Sequence, residues 1–252
     1  MINLKDLDCS NTQITKLPKT LINLIYLNCS DTKIIKLPKT LVNLIELDCN
    51  DTLISNIPDT FNKLRLLYCQ YTKVNNIPEN FVNLTHLLVC NTNVTIIPDT
   101  LINLKELGCE NTNIQYISPK FINLELLFMT KSNIKYLPET LINLAELYCD
   151  YNTINTISST FINLVYLLIL NTPIKYVPIY VSDIKYFNKI NNSIKHTDSD
   201  EYNEYVKTLH GFTKLIGIIY YNKYKDTLWE IADYYQKKKY HPDNILKYVE
   251  LD

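Results

Sequence analysis

The sequence predicts an α/β solenoid: a parallel sheet on one side, an extended rather than helical return path on the other, and a helical cap at the C-terminal end. Three observations predict it. A twenty-residue period starting at Met1 runs through nine consecutive copies to Tyr180 without insertion or deletion. Within each copy the apolar residues keep fixed places, which is the signature of stacked, mutually dependent units. After residue 198 the period is lost, and apolar residues recur at three- and four-residue steps instead. The division is therefore a repeat region, 1–198, followed by a helical segment, 199–252.

The copies carry Leu at places four and seven, Cys at nine, Thr at twelve, Ile at fourteen and Leu-Pro or Ile-Pro at seventeen and eighteen. A degraded tenth copy starts at Val181, with Ile184, Phe187, Asn192 and Ile194 still in position. Seven places per copy are mainly apolar: the first, second, fourth, seventh, ninth, fourteenth and seventeenth. Burying them in one isolated copy does not offset the cost of ordering twenty backbone units, so stacking is obligatory.

Places six to ten are expected to form one short strand per copy, with seven and nine inward and six, eight and ten outward. Parallel strands about 4.8 Å apart would make a sheet roughly 45 Å long over ten copies. Proline at place eighteen (Pro18, Pro38, Pro58, Pro78, Pro98, Pro138, Pro178) removes a donor and fixes φ. The return path is thus expected to be extended or polyproline-like.

The twelfth place holds Thr12, Thr32, Thr52, Thr72, Thr92, Thr112, Ser132, Asn152, Thr172 and Asn192. Each can donate and accept a hydrogen bond, as required where the chain leaves the strand and its backbone groups lose ladder partners. The ninth place holds Cys9, Cys29, Cys49, Cys69, Val89, Cys109, Met129, Cys149 and Ile169. Val, Met and Ile cannot replace a thiolate ligand but can fill an apolar slot, so these cysteines read as small buried hydrophobes. Zinc-like C-x-x-C spacing is absent from the chain. Cys90 stands at place ten and is expected to face outward as the readily reactive thiol.

The repeated motif resembles the leucine-rich repeat, L-x-x-L-x-L-x-x-N-x-L, over about four-fifths of the chain. Its Thr-for-Asn and Leu-Pro features are similar to short repeats of plant immune receptors and bacterial effectors. Together with a composition rich in Asn, Ile, Lys and Tyr, they resemble most the leucine-rich repeat proteins of giant amoeba-infecting DNA viruses. The resemblance implies recognition of a protein partner rather than catalysis. The C-terminal cysteine ubiquitin ligase of some bacterial effectors has no counterpart, because the last cysteine is Cys149.

In such a solenoid the outward strand places form the recognition face. Place eight reads Asp8, Asn28, Asp48, Tyr68, Leu88, Gly108, Phe128, Tyr148, Leu168 and Asn188; place six adds Leu66, Leu126, Tyr166 and Tyr186, and place eleven adds Tyr71 and Tyr151. A water-facing aromatic and aliphatic stripe is costly unless something covers it, and aromatic residues typically anchor interfaces. The alternative is that Tyr and Leu simply suit strands. Carboxylates surround the stripe (among them Asp6, Asp31, Glu46, Asp51, Glu106, Glu110, Glu125, Glu146 and Asp150), with fewer bases, chiefly Lys5, Arg65, Lys105 and Lys131. A partner with some positive charge follows. Lys16, Lys19, Lys33, Lys36 and Lys39 gather elsewhere, on the edge or convex side of the first two copies, as a solvated face.

With 25 basic and 26 acidic residues, bulk charge points to neither nucleic acid nor an anionic membrane. Leu215 to Tyr221 is too short an apolar run to span a bilayer. Seven cysteines, an odd number, suit a reducing, intracellular setting better than a disulfide framework. Repeat sequence directly after Met1 leaves no room for a signal peptide. Three glycines argue against a phosphate loop, and His86, His196, His210 and His241 show no metal or triad spacing. No cofactor is expected.

Two ends complete the expectations. Val206, Leu209, Phe212, Ile216 and Ile219 form one helical face, Leu228, Ile231 and Tyr235 a second, and Pro242 opens a third helix. These cap the tenth copy through Phe212 and Trp229, or form a small module with its own partner. At the other end Met1 already fills a core place, so the first strand is an open edge suited to weak self-association.

Overall fold

A computed structural model describes residues 3–174, residue 177 and the two residues 186–187. The helical segment 199–252, its proposed docking residues Phe212 and Trp229, and Met1 lie outside the described residues, as does the boundary at 198.

The strands are shorter than the sequence suggests. Each copy contributes three residues at places six to eight: β1 (Asp6–Asp8), β2 (Tyr26–Asn28), β3 (Glu46–Asp48), β4 (Leu66–Tyr68), β5 (His86–Leu88), β6 (Glu106–Gly108), β7 (Leu126–Phe128), β8 (Glu146–Tyr148) and β9 (Tyr166–Leu168). The degraded tenth copy supplies β10 (Tyr186–Phe187). All ten pair in parallel in sequence order. Partners stand one repeat apart throughout, as in Leu67 with Leu87 and Leu127 with Leu147.

Cross-rung hydrogen bonding continues beyond the strands. The carbonyl at place five accepts from the N–H groups of places five and six of the next rung, as Lys105 does from Glu125 (2.8 Å) and Leu126 (2.9 Å). The N–H at place nine donates to the carbonyl at place eight of the next rung, and that at eleven to the carbonyl at ten, as Cys109 to Phe128 and Asn111 to Thr130. The backbone is thereby satisfied where the pleat has ended.

Two successive β-turns bring the chain back to the sheet. The place-eighteen carbonyl accepts from the N–H at place one of the next copy, and that residue's carbonyl accepts from place four; Pro98, Leu101 and Leu104 form one such pair. Among the described residues no helix occurs on this return path. Proline at eighteen suits it, since only its carbonyl is used.

The core is one column of side chains from places one, four, seven, nine, fourteen and seventeen. At place one Phe61, Phe81, Phe121 and Phe161 share the column with leucines, and all four rings are fully buried. Place two departs from expectation. Ile22, Val42, Val82, Ile102, Ile122, Ile142 and Ile162 are 42–67% exposed. They are the first central residue of the second turn, whose side chains project away from the chain reversal. Place one, the turn's first corner, takes the inward position.

Side chains tie the rungs together at two further places. At place three Asn43, Asn83, Asn103, Asn123, Asn143 and Asn163 donate to the place-two carbonyl one rung back. At place twenty Thr40, Thr60, Thr100, Thr140 and Thr160 donate to the place-nineteen carbonyl one rung back. Place twelve works within its own rung: Thr32, Thr52, Thr72, Thr92 and Thr112 each donate to the carbonyl three residues earlier. Ser132 instead donates to Asn152 across a rung boundary.

Place eleven is left-handed in nine rungs, with φ between 50° and 57°. Asn and Asp fill it in rungs 1, 2, 3, 5, 6 and 9, as the side-chain preference for this region requires. Tyr71, Lys131 and Tyr151 occupy it in the other three.

Candidate partner-binding face

The outward strand places do form a continuous face. Leu66, Leu126 and Tyr166 at place six and Tyr68, Leu88, Phe128, Tyr148 and Leu168 at place eight are half-buried, packed by their neighbours along the sheet. Tyr71 and Tyr151 stand fully out at its rim, 60% and 53% exposed.

The structure sorts these ten residues into two groups. In rungs 4 and 5, Tyr68 and Leu88 are directly paired, with Leu66 on the same strand as Tyr68 and Tyr71 at the rim of rung 4. In rungs 7 to 9 three rings stack: Phe128 on Tyr148 with centroids 4.6 Å apart, and Tyr148 on Tyr166 at 4.8 Å. Leu126, Leu168 and Tyr151 belong to the same three rungs, and the Lys131 ammonium lies 5.8 Å from the Tyr151 ring centre. The Tyr148 hydroxyl donates to Glu146 Oε2 at 2.9 Å. Burial, then that hydrogen bond and the Glu146 charge, pushes its phenol up to about 12.

Rung 6 separates the groups. A Cβ added at Gly108 would lie 2.7 Å from Leu88 Cδ2 and 3.0 Å from Cys90 Sγ. Side chains of rung 5 therefore close over a bare backbone, and glycine is required by that close approach. Glu106, 3.7 Å from His86 Nε2, and Glu110 flank it in the sequence.

This packing corrects the expectation for Cys90. Its side chain is only 7% exposed, and burial pushes its thiol up to about 11. Strand alternation stops at place eight, so it gives no direction at place ten, and Gly108 opens the space that Cys90 fills. The half-buried Cys9 in the first rung is the more accessible thiol. The inward cysteines are free and buried, with Cys29 pushed up to about 12 by burial and the neighbouring Cys9 and Asp48 charges. Val89, Met129 and Ile169 occupy the same slot, at most 1% exposed.

Charge is uneven along the face. Places six to eleven of rungs 1 to 3 hold Asp6, Asp8, Asp31, Glu46, Asp48 and Asp51, and no base. Burial raises Asp48, and the charges of Asp31, Asp8 and Asp51 add to the rise; the N–H of Asn50, which donates to Asp48 Oδ1, opposes it. Asp8, by contrast, is lowered by hydrogen bonds from Ser10. Arg65 and Lys105, at place five, line a shallow groove at the sheet edge with Lys63, Asn83 and Asn103. Lys105 also pairs with Glu125 at 2.9 Å. The asparagines at place three, repeated in nearly every copy, were the available sequence signal for this edge.

No protein-family model matches the sequence, and no curated protein matches it. Solved structures do. The functional domain of InlJ from Listeria monocytogenes, described as including a cysteine ladder, is 25% identical over 70% of this chain and 42% of its own, with TM-score 0.67. The Leptospira interrogans LRR protein LIC12759 is 19% identical over 72% of this chain and 52% of its own, at 0.63. The plant peptide hormone receptor RGFR1, solved in complex with RGF2, is 21% identical over 68% of this chain and 33% of its own, at 0.57. The chain spans less than two thirds of the length of each. Repeat, sheet and likeness together identify the fold as a leucine-rich repeat solenoid.

Proposed function

We propose that this protein is a non-enzymatic recognition module that binds a protein partner on the outward face of its sheet. The observation that carries the reading is the Phe128–Tyr148–Tyr166 stack, a pre-ordered aromatic surface in rungs 7 to 9. Rings already stacked lose little side-chain freedom on binding, which favours them as anchors. Tyr71 and Tyr151 add to it. A left-handed backbone costs a tyrosine roughly 1–2 kcal/mol that Asn or Asp largely avoids, so their retention at an exposed rim fits contact with a partner. The carboxylates of rungs 1 to 3 favour a partner that is basic at one end, mainly through steering.

The proposal extends to setting. Seven free thiols with no disulfide among them fit a reducing compartment, and the repeat's resemblance fits a viral protein acting in host cytoplasm. Cell fractionation that finds the protein secreted would remove that part.

The test compares proteins captured by the parent chain with those captured by a Tyr68→Asp, Phe128→Asp, Tyr148→Asp triple variant of unchanged circular dichroism. Loss of a specific captured protein is the expected result. An unchanged set would overturn the reading and move the contact to β1 or to residues 199–252.

A further inference from the structure

The repeat leaves a second surface that recognition on the sheet does not use. The side chains at place two form a ridge along the return turns: Ile22, Val42, Val82, Ile102, Ile122, Ile142 and Ile162, each 42–67% exposed. Nothing in the turn demands an apolar residue there, since Asn62 fills the same place in an unaltered turn. Because every rung keeps the same register, the ridge follows the stack over seven steps and is interrupted once, at Asn62. Seven half-exposed branched side chains in one line are more than scattered surface hydrophobes.

The neighbouring turn carries a charge pattern beside this ridge. Place nineteen is exposed in every described rung and reads Lys19, Lys39, Asp59, Glu79, Asp99, Pro119, Glu139, Ser159. Positive charge occupies the N-terminal end and negative charge the middle and far end. Of these, Asp99 has an ion-pair partner in Lys120, at 4.0 Å on the surface.

We infer that the place-two ridge is a homodimer interface, in which two copies lie antiparallel with Lys19 and Lys39 of each facing the acidic stretch of the other. Two features on this surface select a second copy as the occupant. A second ridge has the same spacing, so its side chains can seat between those of the first except where Asn62 interrupts the row. The charge order favours copies that run in opposite directions, which bring Lys19 and Lys39 of each toward carboxylates of the other; a two-fold pair running parallel would hold the two place-nineteen columns on opposite flanks of the ridge. Two-fold pairing of one patch with itself is also the commonest closed symmetry.

Sedimentation velocity on the full chain tests this directly. The parent should show concentration-dependent dimerisation by about 0.1 mM, and an Ile102→Glu, Ile122→Glu variant should associate more than about tenfold more weakly. Its circular dichroism should be unchanged, since both positions are exposed. A Lys19→Glu, Lys39→Glu variant has an all-acidic ridge; a Glu79→Lys, Asp99→Lys, Glu139→Lys variant has a mainly basic one. Each alone should remain monomeric, and their mixture should form the heterodimer. A monomeric parent would overturn the inference, as would association that survives in the Ile102, Ile122 variant, which would place it at the open first strand. Phe128→Asp with Tyr148→Asp should leave dimerisation unchanged, so this result and the partner-capture result are independent.

Discussion

Rungs 1 to 3 and rungs 7 to 9 share one backbone and present opposite chemistries. The first set offers six carboxylates and no base at places six to eleven; the second offers three stacked rings. Burial explains why the two ends should contribute differently. A half-buried aromatic gains by losing its remaining water, whereas a carboxylate must first be desolvated and returns mostly long-range attraction. On the proposed reading, the acidic end would govern how fast and in which orientation a partner arrives, and the aromatic end how long it stays.

The comparison breaks most severely at the aromatic end. Tyr148→Ala should weaken binding of a captured partner by about thirtyfold or more, the scale of a hot spot, with dissociation carrying most of the change. Surface plasmon resonance would resolve this. Glu46→Gln with Asp48→Asn should cost only several-fold, mainly in association rate, and the cost should vanish at high salt. Equal effects at the two ends would erase the distinction.

Stability sharpens it further. Tyr71→Asn relieves a left-handed tyrosine and should stabilise the fold by roughly 1 kcal/mol in urea unfolding, while weakening partner capture. Asp48→Asn should raise the melting temperature at neutral pH. The folded-state pKa of Asp48 lies above its unfolded value, so the folded chain holds the proton more tightly there. Stability from this group is present at low pH and is lost as pH rises from about 3.8 through the raised value. The advantage of the Asn variant should shrink to nothing below that range. Rung 2 shows that the amide fits: Asn28 Oδ1 accepts from the Ser30 N–H as Asp48 does from Asn50.

The smallest effect is chemical. Thiol titration of the native protein should label Cys9 first, and Cys9→Ser should remove that fast phase while Cys90→Ser leaves it. Fast labelling at Cys90 would contradict the packing over Gly108.

Much of the fold was legible because a period reports which places are equivalent. Places four, seven, nine, fourteen and seventeen lie inward as the period implies, and the eight face residues at places six and eight lie outward as strand alternation puts them, whereas Tyr71 and Tyr151 lie past the strand in the left-handed turn. A period does not report which way an equivalent place faces inside a turn. Ile and Val dominate place two although it faces outward; Asn62 signals that a polar side chain is tolerated there, whereas place one is apolar in every copy. The Asn and Asp residues of place eleven likewise marked a left-handed turn that periodicity alone could not name. Alternation gives no direction for Cys90, which lies two residues past the end of β5. The grouping of the aromatic residues was also illegible, since whether rings stack depends on rotamers that sequence spacing leaves open.

The unbroken register has one more consequence. Each copy moves the face forward by one strand spacing, about 4.8 Å, and nothing in the pairing distinguishes one rung boundary from the next. The distance between the acidic and aromatic zones is therefore quantised in whole repeats. Removing rung 5 or duplicating it would shift that distance by a single step and leave both zones chemically intact. If both zones meet one partner, as proposed, the chain would act as a molecular ruler, and gain or loss of a twenty-residue unit would retune the choice of partner without remaking either contact.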